Sequence, residues 1–496
     1  GGGGGCLVGG GALKQKNATR HARSDWMEIE KQRGISVTTS VMKFMYSGVE
    51  ITLLDTPGHE DFSEDTYRVL TAVDSVLMVI DGAKGVEAQT RKLFEICRLR
   101  DIPIITFVNK YDREALPPLE ILENIENELA LECAPVTWPV GMGKTFRGVY
   151  HLRESSLHLF SATHQGKINE GVRIKGLDDP LLDTHLNDFA AELRDDVELI
   201  SGASVPFDTD EYLSGAQTPV FFGSGVNNFG VKELIDTFLQ IAPGPGTRKA
   251  KTRDVDPFEE NFSGFVFKIQ ANMDPSHRDR IAFLRVCSGK YTKGMKLTHV
   301  RINKKIATKN AMTFLAQERA VAEEAFPGDI IGIPNHGTIK IGDTFTEGEE
   351  LRFLGIPNFA PEYFRRIRLL DPLKAKSLIA GLKQLAEEGT LQLFQKFNSA
   401  DYIIGVVGVL QFEVIVGRLR AEYKVEGRVE PTTYNKARWV ETEDKKSFDE
   451  FKSRHVHDLA LDAEGHTTFL ATSQWHIDKA EKEWPKITFL SHIEHS

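Results

Sequence analysis

The sequence predicts an α/β domain with a doubly wound, mostly parallel sheet, followed by a β-barrel domain and an α+β domain. The first domain is predicted over residues 1–245, and from residue 49 onward strand-like apolar runs alternate with helical stretches, which is typical of a parallel sheet. Short strands separated by glycine turns fill residues 263–355, as in a barrel. Helices and strands alternate again over residues 356–496. A proline- and glycine-rich stretch that starts at Pro243 predicts a linker over residues 246–262.

Four apolar runs predict the strands of the first domain, at residues 49–54, 75–80, 102–108 and 219–222. The first three end at Asp55, Asp81 and Asn109, and each connection between them is long enough for a crossover helix. We predict that the run at residues 75–80 is fully buried, because every side chain after Ser75 is apolar.

Helical periodicity fills the connections of this domain, at residues 87–99, 119–131 and 231–241. A more polar segment, from about residue 150 to residue 215, interrupts the alternation of strands and helices. We therefore predict an insertion within the first domain over this segment.

The composition is that of an ordinary cytoplasmic protein. Charged residues make up 27% and hydrophobic residues 41% of the 496 residues, and this length suggests two to four domains. A net charge of −10 argues against binding nucleic acid by a general basic field, although one domain could carry a basic patch. The 4 cysteines lie far apart, which indicates a reducing compartment. We see no signal peptide and no transmembrane run, and we expect a monomer without membrane contact.

Two polar motifs follow predicted strands, DTPGH at residues 55–59 and NKYD at residues 109–112. A lone D-x-x-G is more often a simple turn after a strand. The pair, in this order and at strand ends, instead predicts a GTP-binding domain of the P-loop GTPase type. Because ligands bind beyond the carboxyl ends of parallel strands, we predict that both motifs lie at the same edge of one parallel sheet.

The first motif has the residues of a γ-phosphate sensor. Asp55 is placed to hold Mg²⁺ through a water, since Mg²⁺ retains much of its hydration shell. Thr56 and Pro57 shape the turn, and Gly58 lets a backbone N–H approach the terminal phosphate. His59 stands where other GTPases have a glutamine that orients the attacking water, so we predict it as the catalytic residue.

The second motif has the residues of a guanine reader. The Asp112 carboxylate can accept both N–H groups on the Watson–Crick edge of guanine, whereas adenine would leave it unpaired. Asn109 can bond the base and brace neighbouring loops, and the Lys110 stem can cover the ring. Ser224 and Gly225 end the next strand, where the Ser224 N–H could reach guanine O6. A plain structural turn explains Ser224 about equally well.

A magnesium ligand and a phosphate grip should precede Asp55. Ser36, Thr38 or Thr39 has the hydroxyl to complete a Mg²⁺ shell when the γ-phosphate is bound. No GxxxxGK[ST] loop occurs there. The GMGKT stretch at residues 141–145 lacks the first glycine and follows the guanine motif, so we interpret it as a chance match. We expect poor GTP binding as the chain stands, and lost or unassigned residues in the glycine-rich start.

The motifs together resemble those of the translational GTPases, and within them the release factor 3 family. The general resemblance lies in residues 31–36 (KQRGIS), 55–62 (DTPGHEDF) and 109–112 (NKYD), and the specific one in residues 24–28 (SDWME), 61–68 (DFSEDTYR), 272–275 (NMDP) and 408–412 (GVLQF). It implies a GTP-binding domain, a barrel and a third α/β domain. By the same match, Ser36 takes the Mg²⁺ position where most relatives have threonine, and His59 acts once ribosomal RNA positions it.

This resemblance implies a ribosome-stimulated GTPase that ejects class I release factors from the ribosome after peptide release. The alternative within the same class is a translocation or ribosome-protection GTPase. A different class, a nucleotide-independent ribosome-binding module, follows if the phosphate-binding loop is truly absent. Measured affinities for GTP and GDP would distinguish the ribosome-stimulated GTPase from the nucleotide-independent module.

Overall fold

The computed structural model describes residues 39–58, 61, 63–160, 171–271, 280–314 and 319–495. In the first domain the strands are β1 (Ser40–Tyr46), β2 (Val49–Asp55), β3 (Val76–Asp81), β4 (Ile104–Asn109), β5 (Glu132–Pro135), β6 (Thr137–Val140), β7 (Gly148–His151), β8 (Ser156–Leu159), β9 (Arg173–Lys175) and β10 (Gln217–Phe222). The helices are α1 (Ser63–Leu70), α2 (Ala88–Leu99), α3 (Pro118–Leu129), α4 (Pro180–Leu186), α5 (Asp188–Ala203), α6 (Thr209–Leu213) and α7 (Val231–Ile241).

A four-stranded parallel sheet in the order β3-β4-β10-β5 forms the centre of this domain. Alternate side chains of β4 enter two different cores. Val108 packs with Phe94 of α2 on one face, while Phe107 packs with Leu234 of α7 on the other. Helices therefore cover both faces, which confirms the predicted doubly wound sheet.

The strand before Asp55 differs from our prediction, because β2 does not join the parallel sheet. It pairs antiparallel with β1 in a separate two-stranded sheet. Among the described residues no strand lies between β2 and β3, so each keeps one edge without a ladder partner. The prediction that the run at residues 75–80 is fully buried is wrong: among the described strands β3 lies at the edge of its sheet, and Val79 is 37% exposed.

A four-stranded antiparallel sheet, β6-β7-β8-β9, lies beside the parallel sheet. It begins at Thr137, before the predicted start of the insertion. Val149, Leu157 and Ile174 point from this sheet into the core that also contains Val108. The segment that we predicted as an insertion thus shares one core with the parallel sheet.

The described residues in the middle of the chain are mainly β-strands. Its strands are β11 (Arg248–Lys249), β12 (Asp254–Val255), β13 (Ser263–Ala271), β14 (Arg280–Ser288), β15 (Tyr291–Thr292), β16 (Lys296–His299), β17 (Lys304–Ala307), β18 (Met312–Phe314), β19 (Arg319–Val321), β20 (Glu324–Ala325), β21 (Ile330–Asn335) and β22 (Thr344–Thr346). Eight of them form one antiparallel sheet, β17-β16-β22-β13-β14-β21-β18-β19, around a core that includes Phe267 and Phe345. We call this region the barrel domain.

The last part of the chain mixes strands and helices. It contains β23 (Pro357–Phe359), β24 (Tyr363–Leu369), β25 (Gln392–Lys396), β26 (Tyr402–Val406), β27 (Gly427–Pro431), β28 (Lys436–Glu441), β29 (Leu459–Leu461), β30 (Thr467–Ala471), β31 (Thr488–Leu490) and β32 (His492–Glu494), with helices α8 (Ala375–Glu387), α9 (Leu410–Tyr423), α10 (Lys445–Arg454) and α11 (Gln474–Glu483). An eight-stranded sheet, β27-β24-β26-β25-β29-β30-β28-β31, spans this C-terminal domain. No helix in the described ranges is long and apolar enough to cross a membrane.

Candidate nucleotide-binding site

The loop after β4 turns sharply and is fastened to the loop after β10. Every residue of β4 is buried, and the chain reverses at Lys110, whose φ of 65° lies in the left-handed region. Asn109 Oδ1 accepts the backbone N–H groups of Lys110 and Gly225, both at 2.8 Å. Asn109 therefore braces the two loops that follow adjacent parallel strands.

Lys110 links the ends of two strands. Its Nζ lies 2.8 Å from Asp81 Oδ2 at the end of β3, and the Ala83 N–H donates to Asp81 Oδ1 at 2.9 Å. Burial raises the pKa of Asp81, but the Lys110 bond and the Ala83 N–H outweigh it and leave this pKa below its usual value. The sequence marks Asp81 only as the end of a strand, and its pattern does not indicate the pairing with Lys110.

Asp112 meets a residue that we did not predict. Asn227 Nδ2 donates to Asp112 Oδ2 at 2.7 Å, and both side chains are partly buried. The two residues come from different loops, after β4 and after β10. The amide therefore orients the carboxylate that we assigned to guanine recognition.

The structure does not leave the Ser224 N–H free for guanine O6. It donates to the Phe229 carbonyl at 2.9 Å, and the Phe229 N–H donates back to Ser224 at 3.0 Å. This closed turn needs glycine beside it, since a Cβ on Gly223 would lie 2.1 Å from the Phe229 oxygen. The Gly225 N–H is also engaged, by Asn109. Ser224 and Gly225 therefore support the site in this structure through the turn that they form.

Tyr111 anchors the guanine motif in the core. It is 1% exposed, its hydroxyl donates to the Leu116 carbonyl at 2.9 Å, and its ring meets Phe222 edge to face. The Gly143 N–H donates to the Tyr111 carbonyl at 2.9 Å. Gly143 belongs to the GMGKT stretch, which forms a 3₁₀ turn, Gly143–Thr145, beside the guanine loop. This contact gives the chance match a supporting role.

The phosphate-sensing segment is more open. Asp55 ends β2 with a partly exposed side chain, which fits a carboxylate that holds a hydrated Mg²⁺. Thr56 is partly buried, Pro57 is buried, and Gly58 is exposed, with no described residue within 4 Å of its Cβ position. His59 and Ser36 lie outside the described residues.

Thr39 is the candidate hydroxyl residue that the structure describes. It is fully buried, and its hydroxyl has no hydrogen-bond partner among the residues that the structure describes. Its N–H donates to Asp65 Oδ2 at 2.5 Å, and its carbonyl accepts from Lys268 Nζ at 2.6 Å. Asp65 belongs to α1 and Lys268 to the barrel domain, so Thr39 is held where these elements meet.

Helix α1 begins shortly after Gly58 and contacts both other domains. In the barrel, Lys268 is 2% exposed and lies 3.2 Å from Asp65. Burial raises the pKa of Asp65, but Lys268, Arg68 and the Thr39 N–H together bring it below its usual value. Towards the C-terminal domain, Arg68 donates to the Gly389 carbonyl at 2.9 Å.

Asp61 makes a second contact with the C-terminal domain. Its Oδ2 accepts the Leu410 N–H at 2.8 Å, in the first turn of α9. A carboxylate is favourable there because the helix N-terminus carries partial positive charge. A Cβ on Gly408 would lie 2.1 Å from Asp61 Cα, so the two backbones are in close contact.

Two arginines hold the chain just after α1. Arg285 of the barrel is 1% exposed and donates to Asp74 at 2.9 Å and to the Ala72 carbonyl at 2.5 Å. Arg248 of the linker donates to the Thr71 carbonyl at 2.7 Å. Contacts with other domains thus fix both ends of α1.

The residue chemistry of the two segments fits a guanine nucleotide. Asp112, a partly buried carboxylate bound by an amide, follows β4, while the partly exposed Asp55 and the exposed Gly58 belong to the segment at the end of β2. Over the described ranges, no group of three or more His, Cys, Asp or Glu residues is arranged to hold a metal ion. A hydrated Mg²⁺ needs only one or two protein ligands beside the phosphates.

Three family models match consecutive parts of the chain. Residues 6–244 match the elongation factor Tu GTP binding domain, residues 261–348 match elongation factor G domain 2, and residues 353–481 match the class II release factor RF3 C-terminal domain. One similar solved structure is described as the crystal structure of ttk003000868 from Thermus thermophilus. It aligns with a TM-score of 0.66 at 19% identity, over 85% of this chain and 65% of that one.

The structural likeness shows the same fold, and the chain spans 65% of that protein's length. The order of the three matched families is that of a GTP-binding domain, a β domain and a release factor C-terminal domain. This combination fits one group of translation factors. The three matches together fit a translational GTPase of the release factor 3 type.

Proposed function

We propose that this protein is a ribosome-stimulated GTPase of translation termination, which promotes the dissociation of class I release factors after peptide release. The observation that carries the proposal is the release factor C-terminal domain at residues 353–481, in one chain with a GTP-binding domain. This domain favours termination over the translocation and ribosome-protection alternatives.

The guanine base would bind between the loops after β4 and β10. Asp112 accepts the two guanine N–H donors, Asn109 and Gly225 hold the loops together, and Lys110 covers the ring while its Nζ bonds Asp81. A nucleotide with adenine would leave the carboxylate without donors, which is costly for a partly buried charge.

The phosphates would extend toward the segment after β2. Asp55 and Ser36 would hold Mg²⁺, which supplies positive charge against the phosphate oxygens when bound. The Gly58 N–H would donate to the γ-phosphate. This bond forms only with GTP, so the segment after Gly58 would differ between the GTP and GDP states.

Hydrolysis would use His59 to orient one water. The water oxygen bonds to the γ-phosphorus, the bond from that phosphorus to the bridging oxygen of GDP breaks, and the water proton leaves with the products. The products are GDP and inorganic phosphate. Contact with ribosomal RNA would bring His59 to the water, so turnover would depend on the ribosome.

Helix α1 would carry the change to the rest of the molecule. Asp65 contacts the barrel through Lys268, and Asp61 and Arg68 contact the C-terminal domain at Leu410 and Gly389. A shift of α1 when phosphate leaves alters contacts in all three domains. The release factor would be displaced by this rearrangement on the ribosome.

The test uses ribosomes stalled after peptide release with a labelled class I release factor bound. We expect the protein with GTP to accelerate dissociation of the factor and to hydrolyse GTP faster when ribosomes are present. His59→Ala should keep GTP affinity within about twofold and lose ribosome-stimulated turnover. Unchanged dissociation of the factor with the wild-type protein and GTP would contradict the proposal.

The second candidate function is a ribosome-binding module that needs no nucleotide. It is the alternative that applies only if the protein truly has no GxxxxGK[ST] loop. Equilibrium titration with GTP and GDP separates the two candidates. Binding of neither nucleotide, together with retained ribosome binding, would favour the module.

A further inference from the structure

We propose that Asn227 is a positioning residue that sets guanine specificity by fixing the carboxylate of Asp112. The inference rests on the proposed function, because it concerns the pocket that would hold the base of GTP. It adds to that function a residue outside both sequence motifs.

The Asn227 side chain bridges two loops. Its Nδ2 lies 2.7 Å from Asp112 Oδ2, a short distance for an amide that donates to a carboxylate. Asp112 follows β4 and Asn227 follows β10, and these strands are neighbours in the parallel sheet. The bond therefore links the loop after β10 to the carboxylate that would bind the base.

The turn that carries Asn227 is well supported. Ser224 and Phe229 exchange two backbone hydrogen bonds, and Asn228 takes the left-handed conformation with a φ of 57°. The Phe229 ring stacks on Phe160 with centroids 4.5 Å apart and planes 6° from parallel. Asn227 is thus presented from a fixed backbone.

The chemistry of the carboxylate allows the amide bond and the base to coexist. An ionised carboxylate has about four lone-pair positions on its two oxygens. Guanine N1–H and the 2-amino group would take one position on each oxygen. The Asn227 amide takes another position on Oδ2, so it keeps the carboxylate plane fixed while the base is bound.

A comparison of guanine with hypoxanthine isolates this effect. Hypoxanthine has the N1–H donor but no 2-amino group, so it needs only one carboxylate oxygen. A carboxylate that rotates freely can still meet one donor, but it meets two donors less often. The loss of Asn227 should therefore weaken GDP binding more than inosine diphosphate binding.

The experiment measures the affinity of the full chain for GDP and for inosine diphosphate by calorimetric titration. We expect Asn227→Ala to weaken GDP binding about tenfold, because the variant loses one hydrogen bond to a charged group. The ratio of the affinity for GDP to that for inosine diphosphate should become smaller. Asn227→Asp keeps the size but places a second negative charge against Asp112, and should weaken GDP further. The control is Val226→Ala, since Val226 is 52% exposed in the same turn.

The outcomes distinguish this inference from the proposed function. If the wild-type protein binds GDP and Asn227→Ala leaves the GDP to inosine diphosphate ratio unchanged, the inference is wrong and the proposed function stands. An equal loss for both nucleotides also overturns it, because a merely structural role predicts that result. If the wild-type protein binds neither nucleotide, both proposals fail.

Discussion

The base-reading loops and the phosphate-sensing segment are held in different ways. The loops after β4 and β10 are joined by contacts within one domain, among them the Asn109 bond to Gly225 and the Asn227 bond to Asp112. The segment after β2 leads into α1, which is held by Lys268 of the barrel and by the backbone of the C-terminal domain.

This difference suggests a division of work. The loops that recognise the base should be rigid, and the hydrogen bonds around the buried end of β4 supply this rigidity. The segment that senses the phosphates should transmit movement to other domains, and α1 contacts both the barrel domain and the C-terminal domain. Changes in the first region should therefore alter nucleotide affinity, and changes in the second should alter domain coupling and stability.

The largest expected effect is on the base-reading side. Asp112→Ala removes both acceptors for guanine and should weaken GDP binding by about two to three orders of magnitude, since a charge-assisted pair contributes a few kcal/mol. Titration with GDP measures this loss. Asp195→Ala, at an exposed position of α5, is the control and should have no effect. Equal GDP affinities of the Asp112→Ala and Asp195→Ala variants would contradict base recognition by the loop after β4.

The next effect concerns the contact of α1 with the barrel. Lys268→Met leaves Asp65 charged without its barrel partner and should lower the free energy of unfolding by about 3 kcal/mol. Urea unfolding measures it. The double variant Lys268→Met with Asp65→Asn should recover part of the loss, because no charge then remains unpaired. Additive losses in the double variant would contradict the pairing.

A smaller effect is expected at the contact of Asp61 with α9. Gly408→Ala places a Cβ against the Asp61 backbone and should cost about 1–3 kcal/mol of stability or separate the two domains. Unfolding and small-angle scattering measure these two outcomes. Gly417→Ala is the matched control: it lies within α9, its Cβ would meet nothing within 4 Å, and it should stabilise the helix by up to about 1 kcal/mol.

The smallest effect is a pH dependence. The pKa of Asp65 is lower in the folded protein than its ordinary value of 3.8, so the unfolded chain binds the proton more readily. The stabilisation from this carboxylate is complete above pH 3.8 and is lost as the pH falls through the folded pKa. Asp65→Asn should flatten stability against pH in this acid range, with little change in slope near neutral pH. An identical acid profile for wild type and variant would contradict it.

The sequence predicted the parts of this site that depend on strand ends. The parallel strands before Asp81 and Asn109 and the helix at residues 231–241 are confirmed, because continuous apolar runs and helical periodicity specify them locally. Helix α9, Leu410–Tyr423, lies in the region where the sequence predicts alternating helices and strands. Patterns of this kind are independent of the rest of the fold.

Contacts between loops could not be read from the sequence. Asn227 contacts Asp112 because the loops after β10 and β4 lie side by side in the fold. Lys110 contacts Asp81 because β4 and β3 are neighbouring strands. The sequence left the Ser224 N–H open between a bond to guanine and a structural turn, and in the structure this N–H donates to Phe229 within a turn. Our prediction that β2 joins the parallel sheet was also wrong, because the pairing of a strand depends on which strand lies beside it in the fold.

The most direct test is a structure of the protein with a non-hydrolysable GTP analogue and Mg²⁺. We expect the guanine edge at hydrogen-bonding distance from the Asp112 carboxylate, with Asn227 still bonded to that carboxylate, and the γ-phosphate at the Gly58 N–H. A nucleotide that contacts Asp112 while its γ-phosphate lies out of reach of Gly58 would contradict the central claim that both regions read one molecule.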